Sequence, residues 1–474
     1  MRKILFFICT VSFSTSIFSQ IKEVKITTTK DLIEYKFYEK GGVFLQFGNL
    51  TDYLNTPPSE KSMVSYNGEL DKVMDFELPN LFNNVEGIFS PNGNIKGFFK
   101  LPSTAFSKKN VYFIKNKDYS IIEGKDNQGP LKEVIRIFTS DKYQCYIGKQ
   151  EKRKDRNILN GEDYDNLYIY RRNIDNLSTK LIKIDFPSQN FPDKFFHYQL
   201  QSFDNDKMYF ILNYLNEDKS ENNCSLVSFD YEGKLIDNIS FKDILQNKLS
   251  INSEKGIEGK IDYFDNHGNS REKYPDTFGA EIKIDPSGKY FYSFGNFDDR
   301  KNKKNSVSGF YVFKYDFKGN LIWKMEKNNI TDIKTKGYSI LEDYSNLVIL
   351  NNGKIGFWSS VYNTDYASFC TLNSENGEVL KTKNLRVGIQ GIITFSRKKG
   401  STGLIKSYNY INDSAVKTFM NSAALFAYCF NENIEKYILS KKGNRFAAYI
   451  CPEGIYLMEE NEESNNLKLM KFDL

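Results

Sequence analysis

The sequence is poor in the residues from which metal sites and common catalytic motifs are built. Its 474 residues include only two histidines, His197 and His267. The six cysteines form no Cys-x-x-Cys pair, and a metal site needs several His or Cys ligands at defined spacing. No Gly-x-Ser-x-Gly, His-Glu-x-x-His or phosphate-binding glycine loop occurs. The sequence therefore predicts neither a metal nor a cofactor, and it offers no local catalytic motif.

Long apolar runs are also missing after the N-terminus, although a membrane span needs about 20 apolar residues. The chain starts with Arg2 and Lys3, continues with an apolar stretch, and reaches Ser19 through a Ser/Thr-rich segment. This order is typical of a secretory signal peptide. We expect residues 1–19 to be removed, with an uncleaved anchor as the alternative. The mature protein, 20–474, is then exported to the periplasm, the outer surface or the medium, and has no membrane span.

An excess of charge of either sign is lacking as well. The formal net charge of +5 falls to +3 once Arg2 and Lys3 are removed. So small a charge predicts neither nucleic acid nor an anionic membrane as a partner. The mature chain keeps five widely spaced cysteines, an odd number. Buried thiols are the favoured interpretation, while export leaves an isolated disulfide open.

Proline is scarce, with 11 residues, and no Pro/Gly/Ser-rich linker divides the chain. A mature chain of this length exceeds the usual single core of about 250–300 residues. A repeat architecture, whose core grows by addition, meets both observations. Repeats are visible as short alternating runs rich in the 39 Phe and 31 Tyr residues. Such alternation is typical of half-buried strands.

Glycine-containing turns separate these runs and predict hairpins. Residues 281–297 and 309–324 together read as four consecutive antiparallel strands. The hairpin turns fall near residues 68, 118, 176, 233, 319, 377 and 434, so the spacing is 50 to 58 residues except for one gap of 86. An insertion at 242–278 accounts for that gap. A four-stranded repeat of this length is typical of a β-propeller blade.

The C-terminus adds three strands, 445–452, 454–461 and 467–474, and the N-terminal strand 21–29 can complete them. We therefore predict an all-β fold with a single β-propeller of eight four-stranded blades, or seven if one weak hairpin is over-counted. The N-terminal strand would close the ring by joining the C-terminal blade. Several β-sandwich domains in series are the alternative to a propeller.

Three hairpins carry a resemblance to a known family. The segments YDFKGNLIWK (315–324), FDYEGKLIDN (229–238) and NSENGEVLKT (373–382) resemble the pyrroloquinoline-quinone-type propeller repeat. The resemblance implies a propeller, frequently with eight blades, and the family includes envelope assembly scaffolds. That family docks a tryptophan from many blades, whereas here only Trp323 fits the pattern and Trp358 lies in an inner-strand context. The resemblance therefore does not extend to the quinone cofactor.

In a four-stranded blade, the connections between strands two and three, and between successive blades, emerge on one face. The long irregular segments of this sequence fall in that group, and long loops commonly carry binding. Segments 149–166 and 296–308 hold alternating charges, and the insertion holds a histidine among carboxylates. The candidate ligand-binding residues are Lys152, Arg153, Arg156, Asp262, Asp265, His267, Arg300 and Lys301.

The leading hypothesis is a monomeric, secreted, non-catalytic binding or scaffold propeller of the bacterial envelope. Its expected partner is an envelope protein or a glycan, held on the face with the long loops. The alternative is a carboxylate-based hydrolase or lyase that acts on polysaccharide or peptide, with Asp262 and Asp265 beside Tyr263. Paired carboxylates cleave glycosidic bonds when they lie about 5–9 Å apart.

Overall fold

A computed structural model describes most of the predicted strands. The described residues are 20–29, 31–38, 40–48, 61–78, 85–89, 95–100, 110–115, 120–124, 129–140, 142–150, 167–173, 176, 178–184, 196–203, 207–215, 222–242, 249–251, 281–299, 307–328, 345–360, 366–390, 408–411, 418–441, 443–461 and 466–473. Almost all of them lie in antiparallel strands. No helix in this part of the chain is long and apolar enough to cross a membrane.

The first four sheets have the same order, in which each strand pairs with the next along the chain. The first contains β2 (Asp31–Phe37), β3 (Val43–Gly48), β4 (Lys61–Tyr66) and β5 (Lys72–Leu78). The second contains β6 (Val85–Phe89), β7 (Ile95–Lys100), β8 (Asn110–Lys115) and β9 (Ser120–Gly124). The third contains β10 (Glu133–Thr139), β11 (Tyr143–Lys149), β12 (Leu167–Asn173) and β13 (Thr179–Lys183). The fourth contains β14 (Phe196–Phe203), β15 (Lys207–Leu215), β16 (Asn222–Asp230) and β17 (Leu235–Lys242).

The last two sheets are larger. The fifth has five strands: β18 (Leu249–Ile251), β19 (Glu281–Ile284), β20 (Tyr290–Asp299), β21 (Val307–Asp316) and β22 (Leu321–Asn328). Both β18 and β19 pair with β20. The sixth has ten strands: β1 (Gln20–Thr27), β23 (Ser345–Leu350), β24 (Lys354–Ser360), β25 (Tyr366–Asn373), β26 (Val379–Gln390), β27 (Tyr408–Ile411), β28 (Phe419–Met420), β29 (Arg445–Cys451), β30 (Gly454–Asn461) and β31 (Asn466–Phe472).

The fold is a single all-β propeller, but the predicted eight blades, or seven as the alternative, are wrong. The described strands form six sheets, which are its six blades. Six of the seven predicted turns do join the last two strands of a four-stranded unit, from the turn near 68 to the turn near 377. The strands after β26 add no separate sheet, because β27 and β28 bond them to the β23–β26 unit.

The turn predicted near residue 434 is a helix. Residues 426–440 alternate loosely and were expected to form a hairpin, yet the chain forms α1 (Ser422–Phe430) and α2 (Glu432–Ser440). Asparagines cap both: Asn421 Oδ1 accepts from the Ala424 N–H at 2.9 Å, and Asn431 Oδ1 accepts from the Ile434 N–H at 3.1 Å. Such caps satisfy backbone N–H groups that the first turn of a helix leaves unpaired. They therefore stabilise a helical backbone over an extended one in this segment.

The N-terminal strand pairs with the C-terminal end of the chain, as expected. Strand β1 is antiparallel to β31 from Lys22 opposite Lys471 to Thr27 opposite Asn466. Lys468 Nζ lies 2.7 Å from Glu23 Oε2 across this pair. The strand β1 thus covers the edge that β31 would otherwise expose, which is where unpaired strands risk aggregation.

Apolar side chains fill the spaces between neighbouring sheets. Between the third and fourth sheets, Cys145 and Ile147 pack with Met208, Phe210 and Val227. Burial of this kind contributes about 25 cal/mol for each Å² of apolar surface removed from water. The core is therefore repeated from sheet to sheet rather than gathered in one place.

A second contact between sheets is polar and recurs at one position of the third strand. Arg171 donates to the Tyr231 carbonyl at 2.9 Å, Lys314 donates to the Ser374 carbonyl at 2.9 Å, and Lys471 donates to Glu69 Oε1 at 2.8 Å. Each acceptor lies in the last hairpin turn of the neighbouring four-stranded unit. Burial lowers the pKa of Lys314, so its hydrogen bond offsets part of a desolvation cost. We call these three contacts the turn clasps.

The five cysteines in the described part of the chain are buried and form no disulfide bond: Cys145, Cys224, Cys370, Cys429 and Cys451. Burial raises the pKa of the Cys370 and Cys429 thiols to about 12. Because the thiolate is the reactive form, such thiols are inert while the chain is folded.

We therefore predict that the native protein starting at Gln20 resists a thiol reagent such as 5,5′-dithiobis(2-nitrobenzoate) at pH 8. In guanidinium, the same protein should release five equivalents of thionitrobenzoate, because all five thiols are then accessible to the reagent. Fewer than five equivalents of thionitrobenzoate after denaturation would reveal a disulfide bond and contradict the structure, in which these five cysteines form none.

A glycine substitution tests the junction between the first sheet and β30. Gly41 has φ +82°, and a Cβ there would lie 2.3 Å from the Tyr456 hydroxyl, which donates to the Gly68 carbonyl at 2.7 Å. Gly443 has a similar φ of +88° with nothing within 4 Å. We predict that Gly41→Ala lowers the unfolding free energy by about 2–4 kcal/mol and Gly443→Ala by about 1 kcal/mol. Equal losses in urea denaturation would contradict close packing at this junction.

Candidate functional site

The residues predicted from sequence to bind a ligand all lie outside the described residues. They are Lys152, Arg153, Arg156, Asp262, Asp265, His267, Arg300 and Lys301. His197 lies in β14, the first strand of the fourth sheet. Ligand binding by these residues therefore stays a prediction. The described side chains form a different candidate site.

The two ends of each four-stranded unit differ in their connections. At one end, strand one joins strand two, and strand three joins strand four, through short turns such as 351–353 and 317–320. At the other end, strand two joins strand three through longer segments such as 150–166 and 300–306, and successive units are joined there too. We call these the turn end and the long-connection end.

At the long-connection end of the β23–β26 unit, polar side chains occupy one row across all four strands. Ser345 on β23 is paired in register with Ser359 on β24, Ser359 with Ser368 on β25, and Ser368 with Asn384 on β26. Residues opposite one another on antiparallel strands are direct neighbours. We call Ser345, Ser359, Ser368 and Asn384 the hydroxyl row.

The hydroxyl row lies where the apolar core ends. The next row on the same face of the sheet, two residues closer to the turn end, consists of Leu347, Phe357 and Cys370. These side chains are fully buried and belong to the core between the fifth and sixth sheets. The three serines share that burial, whereas Asn384 on the outer strand is exposed. The row therefore runs from the interior of the propeller to its outer surface.

Hydrogen bonds are unevenly distributed along the row. Ser368 Oγ donates to Asn384 Oδ1 at 2.8 Å. Ser345 Oγ has no hydrogen-bond partner among the described residues. A buried hydroxyl that lacks a hydrogen-bond partner costs about 1–3 kcal/mol, so packing alone gives no reason for a serine at this position.

A lysine of the fifth sheet reaches β26 close to the hydroxyl row. Lys327 Nζ on β22 donates to Thr382 Oγ1 on β26 at 2.8 Å. Thr382 precedes Asn384 by two residues, so both side chains leave the same face of β26. Hydroxyl, amide and ammonium groups therefore lie together where the fifth and sixth sheets face each other at the long-connection end.

The equivalent row in the β29–β31 unit contains charged side chains, and helix α2 packs against it. Glu459 on β30 pairs in register with Lys468 on β31. Its carboxylate accepts from the Tyr437 hydroxyl of α2 and from Asn444 Nδ2. Burial, then the hydrogen bond that Tyr437 donates to the Glu459 carboxylate, raises the pKa of Tyr437. The tyrosine keeps its proton at physiological pH, so this cluster fastens α2 to the sheet and is not poised for proton transfer.

The described groups at this end suit recognition through hydrogen bonds and one positive charge. No group of three or more His, Cys, Asp and Glu side chains among the described residues is arranged to hold a metal ion. Sequence reasoning missed the hydroxyl row because its members are scattered over forty residues. The hairpin turns at 351–353 and 374–378 fix the strand register, and from that register the row could have been derived.

The two serines at the ends of the buried part give a matched test. Ser368→Ala removes a hydrogen bond and should lower the unfolding free energy by about 1 kcal/mol. Ser345→Ala removes a hydroxyl that has no described partner and should leave the free energy within about 0.5 kcal/mol or raise it. Chemical denaturation checks both values, and a larger loss for Ser345→Ala than for Ser368→Ala would contradict the geometry of the row.

No family model matches the chain, and no curated protein sequence matches it, so the pyrroloquinoline-quinone-type resemblance is not confirmed. Solved structures similar in fold include the WD40 domain of SCAP from fission yeast, with 9% identity, TM-score 0.35 and coverage of 96% of this chain and 98% of that chain. The Dos1 propeller has 10% identity, TM-score 0.36 and coverage of 94% of both chains. Hydrazine synthase of Kuenenia stuttgartiensis has 9% identity, TM-score 0.37 and coverage of 94% and 97%. These similarities carry no argument about function.

Proposed function

We propose that this protein is an exported, non-catalytic binding or scaffold propeller of the bacterial envelope. The propeller fold fits a binding or scaffold role. Export is supported by the order of charged, apolar and small residues in 1–19. The ligand or partner, a protein or a glycan of the envelope, binds at the long-connection end.

The difference between the two ends of the propeller carries this proposal. At the turn end, the side chains of Arg171, Lys314 and Lys471 are engaged by the turn of the neighbouring unit. Those turns are therefore part of the framework. At the long-connection end, the hydroxyl row and Lys327 place polar groups where the apolar core ends, and the connections are long enough to vary without disturbing the strands.

Charge reversal at the two ends tests the proposal. The protein starting at Gln20 serves as bait against a detergent extract of the envelope, with captured material measured by mass spectrometry. We predict that Lys152→Glu/Arg153→Glu and Arg300→Glu/Lys301→Glu each reduce capture by about fivefold or more, since rim charges control encounter with a charged partner. His197→Ala should leave capture unchanged, because His197 is not among the candidate ligand-binding residues.

The control is a pair of exposed lysines at the turn end, Lys289→Glu/Lys318→Glu, which changes the net charge by the same amount. This variant should retain capture. Loss of capture in the control, with retention in the two long-connection variants, would place the binding surface at the opposite end and contradict the proposal.

A further inference from the structure

The outer strand β26 carries charge of one sign. Its twelve residues include Lys381, Lys383 and Arg386 and no acidic residue. On other outer strands, lysines have acidic partners: Lys22 contacts Asp71, Lys72 contacts Asp75, and Lys180 contacts Glu232. Lys381 and Lys383 are exposed, and no carboxylate of the described residues lies within 4.0 Å of either ammonium.

A fourth cation comes from the neighbouring sheet. Lys327 is held against Thr382, the residue between Lys381 and Lys383. Lys381 and Lys383 share one face of β26, with their Cα atoms about 7 Å apart along the strand. Thr382 and Asn384 leave the other face, toward Lys327. We call Lys327, Lys381, Lys383 and Arg386 the basic edge.

The sequence around the basic edge has the same bias, although the chain as a whole is nearly balanced, with 65 basic and 60 acidic residues. No aspartate or glutamate occurs from 379 to 412. The basic residues in this stretch are Lys381, Lys383, Arg386, Arg397, Lys398, Lys399 and Lys406. A local excess of this kind raises the concentration of anionic partners near the surface.

We propose that the basic edge and the adjoining end of the hydroxyl row bind an acidic polysaccharide. This inference rests on the proposed binding function and names the class of its ligand. The lysines pair with carboxylates spaced along the polymer. On the opposite face of the same strand, beside Lys327, Thr382 and Asn384 offer hydroxyl and amide groups for hydrogen bonds with sugar hydroxyls.

An extended acidic peptide fits this edge less well. Residues 379–386 of β26 pair with β25 alone among the described strands, and lysines on such an edge disfavour the addition of another strand. A bound peptide also needs pockets for alternate side chains. Leu380, 41% exposed, is the exposed large apolar side chain of this strand, and it lies nearer the turn end than Lys381. The charges and hydrogen-bonding groups therefore favour a polysaccharide.

The test measures binding of oligogalacturonate to the protein starting at Gln20 by calorimetry at low ionic strength. We expect Lys381→Glu/Lys383→Glu to weaken binding by about tenfold or more, since two attractive pairs become repulsive. The control Lys289→Glu/Lys318→Glu has the same net charge and should change affinity by less than about twofold. A neutral oligosaccharide, maltohexaose, should bind at least about tenfold more weakly to the unaltered protein.

Absence of oligogalacturonate binding by the unaltered protein, or equal losses in the two double variants, would overturn the inference. Binding of polyglutamate as tight as that of oligogalacturonate would overturn it in favour of a peptide. If envelope material is captured while oligogalacturonate does not bind, the ligand class is wrong and the proposed function stands. If neither is observed, both fail. Thermal denaturation of each variant separates loss of folding from loss of binding.

Discussion

The structure depends on how each four-stranded unit is fastened to the next at the turn end. The turn clasps repeat one contact, in which Arg171, Lys314 or Lys471 on a third strand donates a hydrogen bond to the last hairpin turn of the neighbouring unit. Each clasp places a cation beside a tyrosine ring: Arg171 over Tyr143 at 4.5 Å and Lys314 over Tyr290 at 4.1 Å. Together with the apolar core, these contacts fix the angle between neighbouring sheets.

Because the turn clasps involve the turn end in contacts between sheets, the long-connection end is the better place for a binding surface. A hairpin turn that accepts hydrogen bonds from its neighbour cannot change length or composition without disturbing two sheets. Connections at the long-connection end leave after the core has ended, as the hydroxyl row shows for the β23–β26 unit. Long loops there cost little in conformational entropy and are free to acquire recognition.

Much of the fold could be predicted from the sequence because its signals are local. Glycine turns and alternating strands identified six hairpins, and the free edge of the C-terminal strands identified a place for β1. The number of blades could not be derived, because it depends on non-local hydrogen bonds. Strand β28 bonds in parallel to β29, and Asn421 and Asn431 cap helices where alternation had indicated strands.

The candidate site was harder to predict than the fold. Sequence reasoning selected charged segments, since runs such as Arg300 and Lys301 are conspicuous along the chain. The hydroxyl row joins Ser345 to Asn384 through the register of three strand pairs, which no local motif encodes. The basic edge is visible as composition, but only the structure puts Lys327 beside Thr382.

The central claim, that recognition occurs at the long-connection end, is tested most directly by site-specific photo-crosslinking in envelope extract. A photoreactive amino acid replaces Gln150 or Asn384 at the long-connection end, and Lys318 or Asn352 at the turn end. If recognition occurs at the long-connection end, we expect crosslinked products from the first two positions and none above background from the last two. Crosslinks from Lys318 or Asn352, with none from Gln150 or Asn384, would contradict it.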